Sequence, residues 1–223
     1  MSQSTSKQIK HKFLVVDDHE AILEGTIPAL KRTYPTAEIL TAQEVQSAQS
    51  QVAIYHPTLV IIDLSLPEKP HAPANLEVGM RFLKTVMESN SAPNIMVLST
   101  NVKPLVRMKP MINAYEGGFA AMDKSMPISE MLKLIDLALR GSIYLPPELR
   151  SRPEFDRKWL EVLTLKFQEG LTDKAIAERM AVSDRTVRNY WIRLQDALGV
   201  YDQPDKELRI QIEIEARKIG LIS

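Results

Sequence analysis

Leu59-Val60-Ile61-Ile62-Asp63-Leu64-Ser65-Leu66-Pro67 is the stretch that decides how the chain is read. Four apolar residues, mostly β-branched, suit a strand buried on both faces, and the run stops abruptly at a carboxylate. Asp63 therefore stands at the carboxyl end of a strand. In an open α/β sheet that edge carries the ligand crevice, which favours a functional carboxylate; the plainer alternative is an Asp that opens an Asp-x-x-x-Pro turn. The two readings separate on what other strands deliver to the same edge.

Upstream, Lys12-Phe13-Leu14-Val15-Val16 is another short apolar run, ending at Asp17-Asp18. Ile22, Leu23, Ile27 and Leu30 recur at helical spacing, which predicts a helix over 20–34 that Pro35 ends. A weak strand over 38–42 and a helix over 45–55 complete the approach to Asp63. Downstream come a helix over 80–87, a strand over 94–98 ending at Ser99-Thr100, a strand over 119–122 ending at Asp123-Lys124, and an amphipathic helix over 129–140. Five strand-helix repeats imply a five-stranded parallel sheet with right-handed crossovers. One edge then gathers Asp17, Asp18, Asp63, Ser99 and Lys124.

Those groups make chemical sense together. Clustered carboxylates raise one another's pKa unless a cation sits among them, and an all-oxygen set suits Mg²⁺. A carboxylate is also a possible nucleophile, and phosphoryl transfer needs charge neutralisation more than covalent machinery: a metal, a Lys point charge and a hydroxyl donor suffice. A solvated acidic rim beside a surface Lys is the alternative.

Composition bounds the rest. The chain has 223 residues, 14 Pro, 8 Gly, no Cys and a formal net charge of zero. That length allows one large or two small domains; the missing cysteine excludes disulfides and thiolate metal sites; the charge balance argues against an overall basic coat. No apolar run approaches the roughly 20 residues of a membrane span, and the polar start lacks a signal-peptide core. The expectation is a cytoplasmic protein with no membrane partner and a loose tail over 1–11.

Beyond the sheet, composition shifts to Gly, Ser and Pro over 141–153, read as a linker between a domain at 12–140 and one at 154–223. The last 70 residues are helical in pattern. Thr172 caps a short helix, Ala181-Val182 turn tightly, and Ser183 caps a longer helix whose Val187, Trp191, Leu194 and Leu198 make a buried stripe. Arg185, Arg188, Asn189, Ile192 and Arg193 lie opposite. This is a helix-turn-helix pattern, and Arg and Asn have the chemistry to read guanine and adenine edges in double-stranded DNA. An ordinary solvated helix face fits the same residues.

Val15-Val16-Asp17-Asp18-His19, Ile62-Asp63-Leu64-Ser65-Leu66-Pro67, Leu98-Ser99 and Gly117-Gly118 through Lys124 resemble the receiver domain of two-component response regulators, a flavodoxin-like fold. Residues 169–180 with Val182-Ser183 and Thr186-Val187-Arg188 resemble the LuxR-type DNA-binding domain, so the whole chain resembles the NarL/FixJ class. The resemblance implies a transcription regulator rather than an enzyme. Asp63 would accept a phosphoryl group from a sensor histidine kinase; Asp17, Asp18, Asp63 and the Ser65 carbonyl would hold Mg²⁺; Ser99 and Lys124 would sense the phosphoryl oxygens. Arg188, Asn189 and Ile192 would contact DNA, and the last helix would support a homodimer.

The departures are specific. The family's aromatic switch is here Ala121; residues 68–75 form an insert beside the phosphorylation site, either a tolerated surface insertion or a functional loop; Pro110 is expected to kink or end the helix after Ser99. His19 and His71 read as solvated. A phosphorylation-independent regulator with the receiver as a docking or dimerisation module is the alternative. An aspartate-nucleophile phosphatase is a remoter one, since the general-acid position two residues after Asp63 is Ser65.

Overall fold

The structure, a computed structural model, describes residues 11–151 and 153–222. The expected tail over 1–11 lies outside them apart from His11. The described chain divides into two compact units. One runs up to Val102 and includes Ala114–Pro146; the other joins Lys103–Asn113 to the residues from Pro147 onward.

The first unit is a parallel sheet flanked by helices. Strand β1 (Lys12–Val16) leads to helix α1 (Glu20–Thr33), β2 (Glu38–Ala42) to α2 (Val45–Tyr55), and β3 (Leu59–Ile62) to α3 (Leu76–Met87). Then follow β4 (Asn94–Ser99), β5 (Phe119–Asp123), α5 (Ile128–Leu139) and β6 (Ile143–Tyr144), with the short α4 (Lys109–Asn113) between β4 and β5. Strand order is β2-β1-β3-β4-β5-β6, all neighbours parallel.

The sheet has six strands, not the five expected. After the left-handed turn at Gly141, Ile143 and Tyr144 pair with Phe119 and Ala120 inside the segment read as linker. Two residues carry no readable alternation, so pairing to β5, and not local pattern, makes this edge strand.

Burial explains the unbroken apolar runs. One sheet face, with Phe13, Val15, Leu59, Ile61, Met96, Leu98, Ala120 and Met122, packs against Leu23, Leu30, Met131 and Ile135. The residues between them, among them Leu14, Val16, Val60, Ile62, Val97 and Ala121, are equally buried, so neither face meets water and no polar alternation survives.

Two glycines set how closely helices approach the site. A Cβ on Gly79 would lie 2.0 Å from the Leu64 carbonyl oxygen, so only glycine lets α3 press against the residue that follows Asp63. A Cβ on Gly118 would lie 1.8 Å from the Ala138 carbonyl oxygen where β5 meets the end of α5.

Helix α3 begins at Leu76, before the Met80 expected, because the Asn75 side chain caps it by accepting the Glu77 N–H at 2.8 Å. The insert folds back as a Leu66 to Asn75 bridge, His71 takes a left-handed backbone, and the Pro67 and Glu68 carbonyls accept the Val45 and Gln46 N–H groups that open α2. Pro110 does not kink or end a helix as expected: the segment after β4 is a 3-10 helix (Lys103–Met108) followed by the single turn of α4, and Pro110 stands in the first turn of α4, where its missing N–H has no helical partner to lose.

The second unit carries α6 (Pro147–Arg150), α7 (Arg157–Phe167), α8 (Asp173–Arg179), α9 (Asp184–Leu198) and α10 (Leu208–Lys218). Thr172 Oγ1 caps α8 by accepting the Ala175 N–H, and Ser183 Oγ caps α9 by accepting that of Thr186 at 3.1 Å. Ala181 turns the chain between them through a positive φ.

Candidate functional site

Four strands bring their carboxyl ends together: β1, β3, β4 and β5. The Asp17 N–H donates to the Ala42 carbonyl and the Asp63 N–H to the Val16 carbonyl at 2.9 Å, so the ladder that pairs β2, β1 and β3 also fixes both carboxylates. Asp17, Asp63 and Ser99 are buried, only 2–3% exposed. Lys124, at the end of β5, places Nζ 2.7 Å from Asp17 Oδ2 and 2.7 Å from Asp63 Oδ2, and its N–H donates to the Ser99 carbonyl. Sequence reading placed Lys124 on the edge. Its bridging of two carboxylates follows only from the strand order.

The remaining oxygens are held from the backbone. Asp63 Oδ1 accepts the Ser65 N–H at 3.2 Å and Asp17 Oδ1 the His19 N–H at 3.0 Å. Burial lifts the Asp17 carboxyl above its usual range, and neighbouring Asp63 adds to that; Lys124 and the His19 amide pull the other way without cancelling it. Burial opposes the charge on Lys124, but the hydrogen bonds and attraction from Asp17 and Asp63 outweigh it and its pKa is raised.

Lys124 pairs with two of these carboxylates, and Asp18 stands beside them, an arrangement that favours a further cation. Among the described residues, ligand atoms of Asp17, Asp18, His19 and Asp63 lie within 4.8 Å of one another. Asp18 Oδ1 is buried yet accepts no hydrogen bond, with His19 Nδ1 2.8 Å away. A buried carboxylate oxygen with only the His19 ring nitrogen beside it, next to two further carboxylates, fits a metal ion. His19, read from sequence as merely solvated, belongs to this cluster; its place directly after two aspartates was the available signal.

The second set of residues lies on α9. Val187, Trp191 and Leu194 are buried, while Arg185, Arg188, Asn189, Ile192 and Arg193 are all exposed on the helix. Ile192 is 54% exposed, an apolar side chain with no core to join. Leu198, expected in the buried stripe, is only half-buried. On α10, Ile212 and Ala216 face inward while Ile210 and Ile214 are exposed.

No protein-family model matches the chain. A transcriptional regulatory protein of Bacillus subtilis, YdfI, is 26% identical over 204 residues, covering 85% of this chain and 90% of that protein. The DNA-binding transcriptional activator DevR/DosR of Mycobacterium tuberculosis is 24% identical, covering 85% of this chain and 88% of its own length. In structure, RcsB of Salmonella enterica, solved on promoter rprA with the phosphomimetic BeF3⁻, superposes with a TM-score of 0.59 at 19% identity, over 92% of this chain and 98% of its own. That likeness speaks for the fold. The shared architecture is a parallel α/β sheet followed by a helix-turn-helix unit. In sequence and in fold the chain is similar, over most of its length, to these regulators. No helix among the described residues is long and apolar enough to cross a membrane.

Proposed function

We infer that the protein is a DNA-binding transcription regulator switched by phosphorylation of Asp63. The observation that carries the reading is the Asp63 carboxylate itself: buried at the end of β3, with one oxygen on the Ser65 amide and the other on Lys124, itself tied to Asp17. Such a carboxylate is oriented for in-line attack on a phosphohistidine. A P–O bond forms to Asp63 as the donor's P–N bond breaks, and the freed imidazole nitrogen takes a proton.

Asp17, Asp18, Asp63 and the Ser65 carbonyl would hold Mg²⁺. When bound, Mg²⁺ supplies the positive charge that screens the carboxylates from an incoming phosphoryl group. Lys124 then moves its ammonium from carboxylate to phosphoryl oxygen, and Ser99, at the end of the neighbouring strand, donates its hydroxyl to the same group. The output is a homodimer whose two α9 helices enter successive major grooves, Arg188, Asn189 and Ile192 toward the bases and Arg185 and Arg193 toward phosphate.

Ala121 favours a second reading. It is fully buried and has no rotamer to flip, so no side chain at this position can relay the state of Ser99, and a constitutive receiver would explain the loss of the aromatic residue. Sedimentation velocity with Mg²⁺, with and without beryllofluoride, separates the two. A monomer-to-dimer shift that disappears in Asp63→Ala supports the switch. An unchanged oligomeric state, with DNA affinity the same in both proteins, overturns it.

A further inference from the structure

Trp191 is the one buried residue of α9 that carries a hydrogen-bonding group; its companions Val187 and Leu194 are aliphatic. Three other helices converge on its ring. The indole N–H donates to Asp173 Oδ1 at 3.2 Å, from the first turn of α8. Arg209, near the start of α10, donates to Asp173 Oδ2 at 3.0 Å and lays its guanidinium over the indole face, 3.6 Å from the ring centre. Phe167, at the end of α7, meets the ring edge-on at 5.9 Å. Asp173 thus joins a donor on α9 to a donor on α10, and the two donors also stack on each other.

Resting on the DNA-binding reading above, we propose that Asp173 and Arg209 are positioning residues for base recognition: clamped on Trp191, they set the rotation of α9 about its own axis. Aliphatic packing is non-directional, so Val187 and Leu194 alone resist a small rotation weakly. A hydrogen bond and a stacked guanidinium are directional. With side chains a helix has a radius of about 5–6 Å, so a rotation of about 10° displaces a reading atom by about 1 Å. That is enough to break a base-edge hydrogen bond, whose length tolerates only a few tenths of an ångström. Long side chains on phosphate follow such a shift. The clamp therefore governs discrimination between sequences, not general attraction to DNA.

The test uses the full chain. The wild type first selects a duplex from a random pool, and affinities for the selected and a scrambled duplex are then compared in Asp173→Ala, Asp173→Asn, Arg209→Ala and Arg209→Lys, each at a temperature where circular dichroism shows it folded. The expected result is a fall in the selected-to-scrambled ratio of about five- to tenfold in both alanine variants, the size of roughly one lost base contact. Affinity for the scrambled duplex should stay within about twofold of wild type, as its phosphate contacts remain. Arg209→Lys, which keeps the charge without the flat stack, should fall between. A lower melting temperature with an unchanged ratio overturns the proposal and leaves the cluster a purely structural one. Where an alanine variant does not fold, the Asn and Lys variants decide by the same ratio. A wild type that enriches no sequence overturns the DNA-binding reading itself, and with it this proposal.

Discussion

At the scale of single residues, Lys124 is where the pocket's charges balance. Its ammonium bridges Asp17 and Asp63, both buried, and replacing it with Met leaves carboxylates facing each other in a dry site. Removing one partner of a buried ion pair costs about 3–5 kcal/mol. Lys124→Met should therefore lower stability by about 3 kcal/mol in chelator and regain part of that loss on adding Mg²⁺, since a ligand bound only by the folded state stabilises it. Urea melts with and without Mg²⁺ check this; a loss that Mg²⁺ does not touch counts against a metal among these carboxylates. On α9, Arg188→Ala should weaken the selected duplex by about 1–3 kcal/mol with relaxed specificity at one position, while Arg185→Ala should weaken all duplexes alike and reduce the salt slope by about 1. Titrating both duplexes over a range of salt distinguishes the two residues.

At the scale of elements, ends and contacts matter more than propensity. Ser183 Oγ satisfies the Thr186 N–H at the start of α9, and Ser183→Ala should destabilise the C-terminal unit by about 1 kcal/mol, read from its unfolding transition. Helix α1 is tied to α5 through Tyr34, whose hydroxyl donates to Asp136 and whose ring meets the Phe13 ring at 5.1 Å. Burial, then the Asp136 hydrogen bond and charge, raise the Tyr34 pKa above its ordinary value near 10. The folded state thus keeps this proton to higher pH than the unfolded chain. The associated stability is whole below about pH 10 and is lost as pH rises beyond it. Urea midpoints from pH 8 to 11 should fall less steeply in Tyr34→Phe than in wild type; parallel curves would mean that the buried hydroxyl carries no such linkage.

At the scale of the whole molecule, the chain is two units with different chemistry, one gathering acids at a sheet edge and one exposing arginines on a helix. The segment between β4 and β5 belongs with the second unit. There Lys109 Nζ donates to the Arg150 carbonyl and Asn113 Nδ2 to Glu154 Oε1. The proposed homodimer is tested at this scale. Ile210 and Ile214 stand about half-exposed on α10, one turn apart. Replacing both with Glu should leave unfolding unchanged and abolish cooperative occupation of paired half-sites, with single half-site affinity kept. Gel shifts on one and two half-sites measure this.

Much of this was legible in the chain itself, for physical reasons. Both sheet faces are buried, so strands β1, β3, β4 and β5 appear as short apolar runs, and each run ends at the group it delivers: Asp17, Asp63, Ser99, Lys124. Capping residues announce their helices because their side chains must satisfy orphan N–H groups next to them in sequence, as Thr172 and Ser183 do. Only the tertiary structure decided the rest. Strand β6 exists because β5 offers an unpaired edge, not because Ile143-Tyr144 has a pattern. The Lys124 bridge requires the order β1-β3-β4-β5, and the Asp173–Trp191–Arg209 clamp joins positions 18 and 36 residues from Asp173. A local pattern records which groups a segment must bury or satisfy nearby; which distant groups then meet depends on how segments pack, and that is written in no single stretch.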